Sequence, residues 1–337
     1  MAALHRVAAG AEAASHAGIH CLPVPTPFAV GAVNAYLIED EPLTLVDCGP
    51  NSATSLRDLE RLLAAHEHSL ADLELLVITH QHMDHLGLAQ TVAQLSEAEI
   101  ACFGPLGPYL EDWEASAAAD DDLAYDVMLR HGLDPSTVKA LRSVARMVRG
   151  WGASVHMDRP LADGEWLRFS RRSLLVLHRP GHSPSDIVLY DDSHGILITG
   201  DHLLPRTSSN ALISRPLGET ADDRRPQPLL QYRASLRATR ELEAKVGLGG
   251  HGEPITDHRA LIDRRLRQQD ERAAELLRLL SAGPRSAHEL ASSLWGDVAI
   301  TQAFLTLSEV LGHLDLLIDE GLVAEDESGP VVRFEAL

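Results

Sequence analysis

The sequence predicts an α/β protein in which two β-sheets pack face to face with helices outside, followed by a smaller unit at the C-terminal end. Three observations predict it. Short apolar runs bounded by Pro, Gly and Asp recur between residues 19 and 199, and strands followed by helices appear twice over. The 337 residues exceed one average domain, and 45% hydrophobic content is enough for a sizeable core. One apolar run, Leu75 to Ile78, stops abruptly at three histidines and an aspartate.

In chain order, residues 1–18 show no apolar period and read as a loosely ordered tail. Strand signals follow at Ile19 to Val24, Val33 to Ile38 and Leu43 to Asp47. Pro23, Pro25 and Pro27 end the first, and Glu39-Asp40-Glu41-Pro42 turns between the second and third. A helix with Leu56, Leu59, Leu62 and Leu63 on one face leads to the Leu75 strand, a helix from about Leu88 to Leu95, and a strand from Glu99 to Phe103. From Gly104 to Trp151 the pattern is helical, an insertion between core strands, with Asp134-Pro135 opening its later helix. Strands resume at Ser154–Met157, Trp166–Phe169, Leu174–Leu177, Asp186–Tyr190 and Ile196–Thr199. One long Arg-rich helix spans 257–281 and ends at Gly283-Pro284. Beyond it come a helix Ser286–Leu294, a helical stretch Thr301–Glu320 with a break expected at Gly312, and a hairpin of Leu322–Ala324 with Val331–Phe334. The expected units are a tail (1–18), a main domain (19–256) carrying the insertion 104–151, a linking helix (257–282) and a small C-terminal domain (283–337).

The chemistry concentrates in Thr79-His80-Gln81-His82-Met83-Asp84-His85. Residues i and i+2 of a strand face the same side, so His80 and His82 point at one metal. The chain then turns, and Asp84 and His85 face a second position beside the first. Four nitrogen and oxygen ligands within six residues suit zinc or iron(II) better than calcium or magnesium.

This run resembles the first motif of the metallo-β-lactamase superfamily, His-x-His-x-Asp-His, and the later motifs follow in order. His182 stands in Pro180-Gly181-His182-Ser183, Asp201 in Thr199-Gly200-Asp201-His202, and His251 in Gly249-Gly250-His251-Gly252. The resemblance covers residues from about 20 to 280 and implies a four-layer αββα sandwich. It implies a first metal on His80, His82 and His182, a second on Asp84, His85 and His251, and Asp201 bridging both. The cofactor expected is a pair of Zn2+ ions, with iron or manganese as the other candidates. Their shared hydroxide would be the nucleophile, and Asp84 would steer its proton. Asp47, in Asp47-Cys48-Gly49, matches a position that braces a ligand histidine; a simple turn cap is the other reading. His178 and His202 lie near ligands without matching ligand positions, so they are read either as groups beside the ligands or in the pocket, or as structural. The order of elements after Gly283 resembles a winged helix, which some β-lactamase-like proteins carry at this place; a plain helical cap on the sandwich is the alternative.

The activity implied is dinuclear metal-dependent hydrolysis of a small ester or thioester, akin to glyoxalase II, although that enzyme has a different C-terminal helical domain. Three other readings are a winged-helix-bearing ribonuclease, a mononuclear-iron persulfide dioxygenase, and a non-enzymatic assembly role for the winged helix. Between Asp201 and Glu241 stand seven arginines, Arg206, Arg215, Arg224, Arg225, Arg233, Arg237 and Arg240, against three acids. They form either a clamp for an anionic substrate, with Arg206, Arg224 and Arg225 as its candidates, or a solvated loop and helix face. Tyr109, Trp113, Tyr125, Met128, Met147 and Trp151 either line a lid over an apolar substrate part or pack the insertion down.

A net charge of −20 repels nucleic acid and anionic membranes. Residues 283–337 hold two arginines against ten acids, which argues further against phosphate contacts there. Cys21, Cys48 and Cys102 lack C-x-x-C spacing and read as buried apolar residues of a reduced, cytoplasmic protein. No signal peptide or bilayer-long apolar run is expected. The partners expected are a small-molecule substrate, anionic by the clamp reading, and a second copy of the chain.

Overall fold

The computed structural model describes residues 2–218 and 225–337, with side chains from residue 7 onward. The expected N-terminal tail is corrected to a helix, α1 (Ala2–His16). Alanine supplies helix propensity without a strong apolar stripe, which is why periodicity missed it. Its small face lies against the sandwich, with Ala14 buried and Gly10 in van der Waals reach of Pro254 and Val246.

The first sheet runs in the order β1 (Ile19–Val24), β2 (Val33–Ile38), β3 (Thr44–Val46), β4 (Leu75–Ile78), β5 (Glu99–Phe103) and β6 (Arg159–Leu161). The first two pairings are antiparallel; β3 to β6 are parallel. Parallel neighbours need crossovers, supplied by α2 (Ala53–Ala64), α3 (Met83–Leu86), α4 (Ala89–Leu95) and the insertion helices α5 (Gly107–Glu111), α6 (Trp113–Arg130) and α7 (Pro135–Val148). The strand expected at Ser154–Met157 forms instead at Arg159–Leu161, as β6. Its backbone partners on β5 begin at Ala101↔Arg159, a tertiary pairing that local pattern does not encode.

The second sheet contains β7 (Trp166–Arg168), β8 (Ser173–His178), β9 (Ile187–Asp191), β10 (Ile196–Gly200) and β11 (Val246–Gly249), in spatial order β11-β10-β9-β8-β7. Between β10 and β11 the chain forms α8 (Pro228–Arg240); α9 (His258–Leu280) follows β11. The facing sides of the two sheets share one core. Leu75 and Val77 of β4 enter it, while Leu76 and Ile78 face the opposite side, under α2 and α4. Every residue of β4, β9 and β10 is buried, which accounts for their unbroken apolar runs.

The C-terminal unit comprises α10 (Ala287–Trp295), α11 (Val298–Thr301), α12 (Ala303–Asp319) and an antiparallel hairpin, β12 (Val323–Asp326) with β13 (Arg333–Ala336). The helical break falls at Gln302, and Gly312 sits inside an unbroken α12. Gly312 serves close approach: a Cβ there would stand 2.9 Å from Leu229 Cβ of α8. The unit's core is shared with the insertion, since Val127, Met128, Leu133 and Val138 join Leu276, Leu290, Leu311 and Phe334 in one cluster.

The insertion therefore packs as two halves. Trp113 belongs to the sandwich core, and Tyr109 packs against it. Met128 and Tyr125 belong to the C-terminal cluster. Met147 is exposed, and Trp151 packs edge-on against Phe28 at 5.0 Å. The six residues do not line one continuous surface. Of the cysteines, Cys48 and Cys102 are buried; Cys21 is corrected to an exposed position on β1, and all three are free thiols. Among the described residues no helix is long and apolar enough to cross a membrane.

Candidate metal centre

Ligand-type side chains gather where strands end at one edge of the two sheets. β4 delivers His80 and His82, the β8–β9 turn delivers His182, β10 delivers Asp201, and β11 delivers His251. The chain turns into α3 directly after His82, which places Asp84 and His85 on that single turn. Gly250 lets these segments meet: a Cβ there would collide with Asp201 Oδ1 and His85 Cε1.

Two groups form. His80 Nε2 lies 3.1 Å from His82 Nδ1, and His182 Nε2 lies 2.9 Å from the same atom. In the second group His251 Nε2 is 3.3 Å and His85 Nε2 3.9 Å from Asp84 Oδ2. The Asp201 carboxylate stands between them, with Oδ1 3.4 Å from His85 Nε2 and Oδ2 3.7 Å from His182 and 3.6 Å from His251.

The far nitrogens of four rings are tied down. His85 Nδ1 donates to Asp47 Oδ2 at 2.7 Å, His182 Nδ1 to the Asn210 carbonyl at 2.9 Å, and His251 Nδ1 to the Ala32 carbonyl at 2.8 Å. His80 Nδ1 donates to Thr79 Oγ1 at 2.9 Å, and that hydroxyl in turn donates to Asp47 Oδ2 at 2.8 Å. With Nδ1 protonated, each Nε2 lone pair is directed at the centre. Asp47 also accepts from the Thr79 backbone N–H, and its φ of 58° is a left-handed conformation that aspartate tolerates better than most residues. The Asp47 carboxylate thus touches His85, one of the ligand-type residues, whereas His202 touches none of them. His202 is fully buried and bonded through Nε2 to Thr239 Oγ1 at 2.9 Å, which favours the structural one of its two readings. His178 stacks on Phe103 and lines a cavity of about 270 Å³ with Pro180, Leu212 and Pro228, a cavity that none of the seven ligand-type residues lines.

Electrostatics follow from packing. Burial, then the neighbouring His85, His82 and His182, push His80 well below the usual imidazole range; burial and His182 push His82 down to about 3. Burial opposes protonation of His85, but the carboxylates of Asp201, Asp47 and Asp84 outweigh it and raise the group. For Asp84, burial is outweighed by His85 and His251, which hold the carboxyl below its ordinary value.

The residues fit divalent cations by a direct test. His85 Nε2, Asp201 Oδ1 and His251 Nε2 are buried and have no hydrogen-bond partner. Orphaned buried polar atoms are costly, and here they converge on one place with the donor set that zinc-class ions take. His82 and Asp84 are half-buried and leave that place open to solvent on one side.

Five of the arginines expected in the clamp have carboxylate partners. Arg206 pairs with Glu253 at 2.8 Å, Arg215 with Asp120 at 2.9 Å, Arg233 with Asp270 at 2.7 Å and Arg240 with Asp263 at 2.7 Å. Arg225 clasps the buried Asp315 of α12 with two bonds, at 3.0 and 2.5 Å. Their carboxylate partners are spread over several elements, so Arg206 and Arg225 each already have an acidic partner; Arg224 lies outside the described residues. Sequence reasoning also missed residues that act through backbone. Asn34 Nδ2 donates to the carbonyls of Gly249 and Gly252, and Tyr36 Oη donates to Gly249, holding the His251 turn. No motif marks such contacts.

A sandwich of two mixed sheets with a shared His/Asp cluster at their strand ends defines the metallo-β-lactamase fold. The chain belongs to the metallo-beta-lactamase superfamily, whose profile matches residues 29–251, and is by class a metal-dependent hydrolase. Over 314 residues it is 34% identical to the probable metallo-hydrolase YqjP of Bacillus subtilis (strain 168), covering 93% of this chain and 96% of that one. The crystal structure of the metallo-beta-lactamase family protein TTHA1429 from Thermus thermophilus superposes with a TM-score of 0.77 at 30% identity, over 95% of this chain and 99% of that one. A shorter match, 40% identical over 67 residues, is to the acyl-coenzyme A thioesterase MBLAC2 of Gallus gallus, covering 18% of this chain and 24% of that one.

Proposed function

We propose that the chain is a dinuclear hydrolase of a small thioester or ester. The observation that carries the reading is the Asp201 carboxylate, placed within 3.4–3.7 Å of histidines from both groups. His80, His82 and His182 would hold one cation, Asp84, His85 and His251 the other, and Asp201 both. Zinc-class cations bound there supply Lewis acidity and hydroxide at neutral pH. The chain's own part is to aim the Nε2 lone pairs, through Asp47, Thr79 and the Asn210 and Ala32 carbonyls, and to leave Asp84 as an anionic proton acceptor on the open side. Overall one water is consumed, the acyl carbon–sulfur or carbon–oxygen bond breaks, and an acid and a thiol or alcohol leave. Thioester over ester is supported by the thioesterase named among the shorter matches. A small substrate is favoured over RNA by the C-terminal unit, because α12 carries no Lys or Arg for phosphate.

The test pairs metal content with turnover. The wild type is expected to hold two equivalents of zinc at this cluster and to hydrolyse acyl-coenzyme A or a related thioester. Asp201→Ala should lose at least one equivalent and at least a hundredfold in kcat. One equivalent at this cluster, or turnover of RNA in preference to thioesters and lactones, would overturn the proposal.

A further inference from the structure

A second group of ligand-type side chains lies at the opposite end of the first sheet. Glu39 follows the β2 residue Ile38, which is paired with Thr44 at the start of β3 and with Ile19 at the start of β1. His80 and Asp47 follow the other ends of β4 and β3, so this group is separated from the metal centre by the length of the strands. Three segments meet there: His20 from β1, Glu39 from the end of β2, and His66 and His68 from the turn after α2.

His20 Nε2 lies 2.9 Å from Glu39 Oε2, and His68 Nε2 lies 3.5 Å from the other carboxylate oxygen, Oε1. The rings of His20 and His66 stand 4.3 Å apart, centre to centre. One ligand atom each from His20, Glu39 and His66 falls within 4.8 Å of the others, and His68 stands beside this trio through Glu39. All four residues are half-buried. Between His66 and His68, Glu67 takes φ 64°, a left-handed turn normally left to Gly or Asn at a helix end. That conformation turns His68 back toward the same carboxylate that His66 approaches. His20 Nδ1 is 3.3 Å from Ser15 Oγ of α1, which with Nδ1 protonated would leave Nε2 as the free lone pair.

A hydrogen-bonded His20–Glu39 pair by itself would use two of these groups. It gives no reason for two more imidazoles to crowd the same carboxylate, one of them against His20. We infer that His20, Glu39, His66 and His68 form a second, structural metal site that takes a divalent ion of the zinc class. Three imidazoles and one carboxylate match that ion's preference for four nitrogen and oxygen donors. His68, beside the other oxygen of Glu39, would complete a four-donor set with no open coordination position, so the site is assigned to holding structure and not to turnover. A metal there would tie the start of β1, the end of β2 and the α2–β4 connection at one point.

The experiment uses the full chain, loaded with Zn2+ alone and passed through gel filtration in metal-free buffer before metal analysis. The double variant His66→Gln/His68→Gln is expected to retain one equivalent of zinc fewer per chain than the wild type, with thioesterase activity and the catalytic zinc kept. Its melting temperature should rise less on zinc addition than the wild type's. Glu39→Gln, a shape-conserving change made separately, should lose the same equivalent and guards against a folding artefact in the double variant. Equal zinc retention in the wild type and both variants, with equal zinc-induced shifts in melting temperature, would overturn the site. Because the readout is the difference between these chains, it stands whatever the metal count at the catalytic cluster proves to be.

Discussion

Asp47 shows how one side chain sets the direction of another. Its two oxygens take three donors, the Thr79 N–H, the Thr79 hydroxyl and His85 Nδ1, at 2.7–2.8 Å. Removing it frees the His85 ring and leaves the Thr79 amide without its buried partner. Asp47→Ala is therefore expected to weaken zinc binding about 10–100-fold, the range typical for loss of a group that orients a ligand. Competition with a chromophoric chelator measures this, and unchanged affinity would reduce Asp47 to a turn cap. Asp47→Asn retains tolerance of the left-handed backbone and an oxygen for His85, so its loss should be smaller. The motif pattern singled out Asp47 and the seven ligand-type residues, because each is a charged or imidazole group at a recognisable strand end. Thr79, Asn210 and Ala32 were not legible: two of them contribute a main-chain carbonyl, which every residue possesses.

At the scale of elements, α12 illustrates the limit of local reading. A glycine inside a helix costs about 1 kcal/mol relative to alanine, and this suggested a break at Gly312. The helix runs through it because α8 comes so near that a Cβ would stand 2.9 Å from Leu229 Cβ. Gly312→Ala should consequently destabilise the protein by about 1–3 kcal/mol from overpacking, despite the propensity gain. Urea unfolding at equilibrium decides it, and a more stable variant would show that α8 yields easily. The same helix reaches the metal centre through the 205–215 loop. Asn210 Nδ2 donates to the Leu305 carbonyl at 2.8 Å while its own carbonyl accepts from His182. The loop's conformation, and with it the aim of His182, depends on a segment almost a hundred residues further along.

For the molecule as a whole, the insertion and the C-terminal unit are one packing body. Val127 and Val138 share a cluster with Leu276, Leu311 and Phe334, so neither half buries its apolar face alone. Thermal unfolding of the full chain should show the C-terminal unit melting together with α6 and α7; a separate early transition confined to 283–337 would refute that. Arg225 adds an ionic tie between the segment before α8 and α12. Asp315 is 1% exposed, and loss of its partner strands a buried carboxylate. Arg225→Ala should cost about 3–5 kcal/mol, whereas an unpaired surface arginine would cost almost nothing. Stability against guanidinium separates the two outcomes, and KM for the proposed thioester substrate should not move if the charge has no part in substrate binding.

From the amino acids alone came the two-sheet architecture and the His80–His85 cluster, because apolar period and chemically distinctive side chains are local properties that survive without coordinates; the resemblance to family motifs added His182, Asp201 and His251. Folding decided what those properties do not carry. The arginines looked like an anion clamp until their carboxylate partners, 23 to 95 residues away in the chain for four of them, were seen beside them. The aromatic residues of the insertion looked like one lid until their burial split between two cores. Charge pairing and burial depend on which distant segments are brought together, and that is settled by packing.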